Sequence, residues 1–76
     1  MDMDEATFNR ILDMAPEERE TMMSETAFQR ILAMSPNELL AFACLLMPDC
    51  VSGDQEARLL YSLCVYLDRH YKVFPA

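Results

Sequence analysis

Glycine occurs once in this chain, at Gly53, and that scarcity removes a class of chemistry at the outset. A loop that cradles phosphate with backbone N–H groups needs several glycines in a short span, so no such loop can be built. Histidine also occurs once, at His70, between Arg69 and Lys72 near the end of the sequence. A nucleophile would lack an oriented base there, and His70 reads as a solvated side chain at a helix end. The carboxylates fall at capping and surface positions instead of pairing between apolar walls, so a catalytic dyad has no support. No catalytic residue and no cofactor is expected.

Positive charge is scarce too, with six Lys and Arg against 13 Asp and Glu and a net charge of -7. Residues 1–56 carry twelve acids against Arg10, Arg19 and Arg30, whereas residues 57–76 carry Asp68 against Arg58, Arg69 and Lys72. The acidic part repels phosphate, which argues against nucleic-acid binding, including by a helix-turn-helix. The C-terminal cations have a structural role available, since positive charge at the end of a helix offsets its dipole.

Long apolar runs are missing. The longest, "LLAFACLLM" from Leu39 to Met47, is nine residues against the ~20 that span a bilayer. The start "MDMDEATF" is acidic where a secretory leader would be basic, and the three cysteines are an odd number. A reducing cytoplasm is the expected location. Cys44, Cys50, Cys64 and His70 form C-x5-C and C-x5-H pairs, but residues six apart lie about 240° apart around a helix. They cannot converge on one tetrahedral ion, so no metal site is expected. Cys44 and Cys64 read as buried small hydrophobes, and Cys50, in a loop, as the most exposed thiol.

What the chain does have is apolar residues, 53% of 76. A chain of this size buries only about 60% of the surface its unfolded form exposes, so part of that apolar content must face outward. One core of this size supplies only about 3–5 kcal/mol, and oligomerisation is a common supplement. A homodimer, or another protein partner, is therefore expected.

It also says one thing twice. "FNRILDMAPEE" at 8–18 returns as "FQRILAMSPNE" at 28–38. Aligning 3–18 with 23–38 gives nine identities: Met3/Met23, Glu5/Glu25, Phe8/Phe28, Arg10/Arg30, Ile11/Ile31, Leu12/Leu32, Met14/Met34, Pro16/Pro36 and Glu18/Glu38. Asp4 aligns with Ser24, both good N-caps, and Ala15 aligns with Ser35. Each unit reads as a cap, a helix, then a proline that opens a second helix. "SPNE" at 35–38 has the form of a capping box with Pro36 at the first helical position. On a helical wheel Ala27, Phe28, Ile31, Leu32 and Met34 share an arc of about 160°, with Glu25, Thr26, Gln29, Arg30 and Ala33 outside it. The helix at 4–14 divides in the same way, with Phe8, Ile11, Leu12 and Met14 inside and Glu5, Asn9, Arg10 and Asp13 outside.

The second helices diverge. "PEERETMM" is charged and should lie exposed, whereas "PNELLAFACLLM" is apolar and should be central, stopping before Pro48. "PDCVSGDQ" then reads as a loop jointed at Gly53, with Ser52 or Asp54 as the next cap. Residues 16–22 form either their own short helix or a continuation into the next. The closing helix, 54–72, is apolar around most of its circumference: Leu60, Leu63, Cys64, Leu67 and Tyr71 make one stripe, Leu59, Tyr66 and Val73 flank it, and Arg58, Ser62, Arg69 and Lys72 make a polar strip. Tyr61, Tyr66 and Tyr71, five apart, spread around the helix instead of forming a stacking platform. The expected fold is an all-α bundle of four to five helices, one domain with units 3–22 and 23–47 and the closing helix 54–72.

Function is expected to lie in protein binding: a small acidic cytoplasmic adaptor, inhibitor or regulator using an apolar and acidic helical surface. Asp13, Glu17, Glu18 and Glu20 would supply the charge, with Arg10 and Arg30 the cations shared by both units. Of the seven methionines, Met14 and Met34 read as core, and Met22 and Met23 as exposed thioethers that could repack against partners. Translation from Met23 would yield one unit plus the closing helix. The alternative is an acidic anti-repressor that imitates DNA phosphates, weakened by the six interspersed cations.

Overall fold

The computed structural model describes the backbone of residues 3–73 and the side chains of residues 3–70. Five helices follow one another: α1 Glu5–Asp13, α2 Pro16–Arg19, α3 Glu25–Ala33, α4 Pro36–Val51 and α5 Gln55–Val73. Among the described residues there is no strand.

Local chemistry sets most boundaries. The Asp4 carboxylate accepts the Thr7 N–H at 2.8 Å and opens α1. Those hydrogen bonds from Thr7 hold the Asp4 carboxyl below its ordinary range. α1 ends where Met14 and Ala15 turn extended, with ψ 144 and 146, ahead of Pro16. Ser24 caps α3 through Ala27 N–H, and α3 ends in the same way at Met34, ψ 145. The capping box at α4 is complete: Ser35 N–H donates to Glu38 at 3.0 Å, and Glu38 N–H to the Ser35 hydroxyl at 3.3 Å. Glu38 is held in its charged form by these contacts, its carboxyl lowered.

α5 is the central element, packed along α4 and against α3. Leu60, Leu63 and Cys64 are buried, with Leu59, Tyr66 and Leu67 half-buried beside them. Ile11, Met23, Phe28, Ile31, Leu39, Ala43 and Leu46 complete the core. The side chains of Tyr71, Lys72 and Val73 lie outside the described residues. Ser62, expected on a polar strip, is buried; its hydroxyl donates to the Arg58 carbonyl at 3.0 Å, one turn back, which is how a serine enters a helix–helix interface without an unmet polar group. Leu12, expected inside, is 40% exposed. Residues 16–22 resolve into a four-residue helix and a turn.

α4 does not stop at Pro48. It runs on to Val51 with the proline inside its last turn. A proline there removes only its own N–H, and the ring is exposed. The carbonyls that follow are all used: Pro48 by Ser52 N–H at 3.1 Å, Asp49 by Asp54 N–H at 3.0 Å and the Ser52 hydroxyl at 2.9 Å, and Cys50 by Gly53 N–H and Arg58 Nε, both at 3.2 Å. The loop contracts to Ser52–Gly53–Asp54, with Gly53 at φ 97, a conformation open to glycine at little cost. Asp54 is the cap, accepting Ala57 N–H at 3.1 Å.

Candidate functional site

Only part of "LLAFACLLM" is central. Leu39, Ala43 and Leu46 turn into the core, while Leu40, Leu45, Met47 and Val51 are 61%, 74%, 50% and 85% exposed. Leu40, Cys44, Met47 and Val51 follow the spacing 4, 3, 4 and fall within about 60° of the helix wheel. They form an apolar ridge along the outside of α4. Across the 16 residues of α4 the charged side chains are Glu38 and Asp49, and neither lies in that stripe. A helix apolar on both faces needs cover on both, and one face here has none among the described residues.

Two grooves border α4: the smaller, which shares Leu40, runs beside the ridge, and the larger lies about 140° farther round the helix. One, about 410 Å³, lies between Ala27, Arg30 and Met34 and the α4 residues Glu38, Phe42 and Leu45. The other, about 160 Å³, lies between Leu40 and Ala43 and the α5 residues Tyr61, Val65, Asp68 and Arg69. The exposed ridge and the groove beside it form one candidate surface.

The second feature is Arg19, which no sequence motif singled out. It comes from the charged "PEERE" segment expected to lie exposed, yet it is only 5% exposed. Its Nη1 donates to the carbonyls of Ile11 at 2.9 Å and Met14 at 3.1 Å, closing the C-terminus of α1. Its Nε and Nη2 grip both oxygens of Glu25 at 2.7 Å, and its guanidinium lies 4.3 Å from the centre of the Phe28 ring. One side chain thus fastens α1, α2 and α3. Glu25 also accepts from Gln29 Nε2 at 2.8 Å, and its carboxyl is lowered to about 2, first by Arg19 and then by Gln29. The signal available in the sequence was the alignment itself: position 19 faces Leu39, a core residue, across the repeat.

The residues expected to form a binding face divide. Asp13, Glu17 and Glu18 are exposed at the end of α1 and on α2, and Arg10 and Arg30 are exposed on α1 and α3. Glu20, also exposed, accepts the Glu25 N–H, and Glu56 accepts the Ser24 N–H at 2.6 Å, so both carboxylates sit at the N-terminus of α3, where the helix dipole favours them. Met22 is 39% exposed, but Met23 is buried in the core, correcting the expectation for that residue. Its N–H and that of Met22 both donate to the Arg19 carbonyl, at 3.0 and 2.9 Å, and this turn carries Met23 inward. Its side chain is not available to a partner.

The thiols are also redistributed. Cys44, expected buried, is exposed on the ridge; Cys50, expected the most exposed, is half-buried because its segment is helical; Cys64 is buried, and burial pushes its thiol up to about 11. His70, expected in solvent, is half-buried and lies 4.0 Å ring to ring from Tyr66, which stacks on Phe8 at 4.6 Å. Tyr66, at the centre of this stack, has its hydroxyl raised by burial and by Glu5 and Asp4. Among the described residues no three His, Cys, Asp or Glu side chains gather to hold a metal ion, and no helix is long and apolar enough to cross a membrane. In comparisons with protein-family models, curated proteins and solved structures, nothing matches the chain.

Proposed function

We propose that this protein is a small protein-binding module, an adaptor or inhibitor, and that it docks through the outer face of α4. One observation carries the reading: of the six exposed large hydrophobics among the described residues, Leu40, Met47 and Val51 lie on that face and Leu45 lies on the same helix. A packed domain that leaves so much apolar surface on one element has that surface available for a partner. The units 3–22 and 23–47 act as a duplicated frame closed by the helix 54–72, with the docking face in the diverged second half of the second unit. Asp13, Glu17 and Glu18 add an acidic field that, in the cytoplasm, would turn acidic surfaces away from the rest of the molecule and leave the uncharged α4 face open to contact. The function is binding, not catalysis.

The test is capture from the native host's lysate on immobilised protein, comparing wild type with the Leu40→Asp, Val51→Asp double variant. Both positions are exposed, so the variant should keep its helical circular dichroism. The expected result is a protein retained by wild type and lost by the variant; equal retention by both would defeat the reading. The acidic anti-repressor reading has its own support in the exposed Asp13, Glu17 and Glu18. It loses ground because Glu20 and Glu25 are occupied within the fold. It requires complex formation that duplex DNA competes away and that weakens steeply with salt, whereas docking through the apolar α4 face does not weaken steeply with salt.

A further inference from the structure

We infer that the occupant of the α4 face is a second copy of this chain, paired about a two-fold axis that crosses the ridge between Cys44 and Met47. The inference rests on α4 being a docking face and names what docks.

Shape is the first argument. A ridge with a groove along its α5 side is complementary to itself: under a two-fold rotation the ridge of each copy lies against that groove of the other. The 4, 3, 4 spacing of Leu40, Cys44, Met47 and Val51 is that of a coiled-coil seam, which fits another helix carrying the same spacing. Antiparallel pairing sets Leu40 against Val51 of the second copy and Cys44 against Met47 of the second copy, a larger side chain against a smaller one in each layer.

Charge is the second. Each chain carries -7, so most of its surface repels another copy. The ridge is the exception, because the positions flanking the seam on α4 are Ala41, Ala43, Pro48 and Cys50, all uncharged. Antiparallel pairing also opposes the two helix dipoles and keeps the Glu38 carboxylates at opposite ends of the contact.

Size sets the affinity. A standard interface covers roughly 800 Å² per partner, about 15% of this chain's 5225 Å², and uses 20–30 residues a side. The ridge and the groove beside it supply fewer residues than that, so the dimer depends on concentration. Because the two copies carry like charge and meet through an uncharged seam, salt tightens the dimer by screening repulsion. An apolar seam closed on a basic partner would loosen or stay unchanged.

The test is sedimentation equilibrium of the full chain from about 1 to about 300 µM at low and high salt. The expected result is a shift from 8.8 kDa to twice that mass, favoured by salt. The Leu40→Asp, Met47→Asp variant should stay monomeric with unchanged circular dichroism, its dissociation constant raised at least about 100-fold. The two Cys44 thiols lie roughly 10 Å apart or less across the seam, so a short bis-maleimide should join them, identified by mass spectrometry of the cross-linked peptide. A monomer throughout at about 300 µM overturns the inference, as does a dimer that the α4 variant leaves intact. In the first case the lysate comparison still decides whether α4 docks a different protein, so the two proposals fail separately.

Discussion

Glu25 offers the sharpest test of the fold, because its environment is assembled mainly by one residue, Arg19. Its two oxygens take charge-assisted hydrogen bonds from Arg19 at 2.7 Å and a third bond from Gln29 at 2.8 Å, and its side chain is 25% exposed. These contacts favour the charged form and lower the carboxyl from 4.5 to about 2, while the same pairing raises Arg19. The folded carboxylate therefore binds its proton more weakly than the unfolded one. Its contribution to stability is fully present above about pH 4.5 and is lost as pH falls through about 2.

Replacing Arg19 with leucine, the residue at the aligned position 39, removes the cause and keeps an apolar stem in the core. In a pH titration of the Glu25 side-chain carboxyl by NMR, the midpoint should move from about 2 most of the way back toward 4.5. The steep loss of stability between pH 4.5 and 2 should flatten in the same variant, and the carbonyls of Ile11 and Met14 should lose their closure, speeding amide exchange in α1 and α2. Arg19→Lys keeps the charge but not the planar fork, and should fall between. A wild-type midpoint above about 4, or a midpoint that ignores the loss of Arg19, would refute the latch.

Three further outcomes follow from the packing. In native protein diluted to about 1 µM, where the chain is monomeric, a maleimide should modify Cys44 first, Cys50 more slowly and Cys64 only on unfolding, the reverse of a loop-exposed Cys50; mass spectrometry of partially labelled protein reads the order. Phe28→Ala should cost about 3–5 kcal/mol, comparable to the whole stability of a domain this size, so its far-ultraviolet circular dichroism should show a largely unfolded chain at 25 °C. Pro48→Ala should stabilise the protein by about 1–3 kcal/mol in urea titration, since α4 passes through that position and gains back a hydrogen bond; no gain would mean the helix ends there.

Sequence patterning reached the elements that depend on short-range chemistry. Asp4, Ser24, Ser35 and Asp54 cap helices through contacts three residues away, and Pro16 and Pro36 begin them, so all of these were legible. Pro48 was not, because whether a proline ends a helix depends on what takes the carbonyls after it, and here Arg58 on the next helix is one of the donors. Cys44 and Cys50 exchanged places as a consequence, since extending α4 by one turn brought Cys50 onto the half-buried side of the helix. Met23 went inward through a turn closed on the Arg19 carbonyl, a contact without periodicity. The exposed face of α4 was hidden by the same property that makes it a candidate site. A helix apolar all round reads as buried all round, and only the count of neighbouring helices tells otherwise.

The aligned positions after each proline then connect the latch to the ridge. At positions 19 and 39 the two units place Arg19 and Leu39, both buried, but one closes the end of α1 with its guanidinium while the other fills the core between helices. At positions 20 and 40 they place Glu20, which caps α3, and Leu40, which begins the outward ridge. The first unit therefore turns back after four helical residues, held by polar contacts to its own neighbours. The second, without those contacts, continues for 16 residues and carries apolar side chains out of the core. These two aligned differences accompany a long α4 whose outer face has no cover among the described residues. Restoring polar character at position 40 should therefore abolish association while leaving the latch, 21 positions earlier in the sequence, untouched.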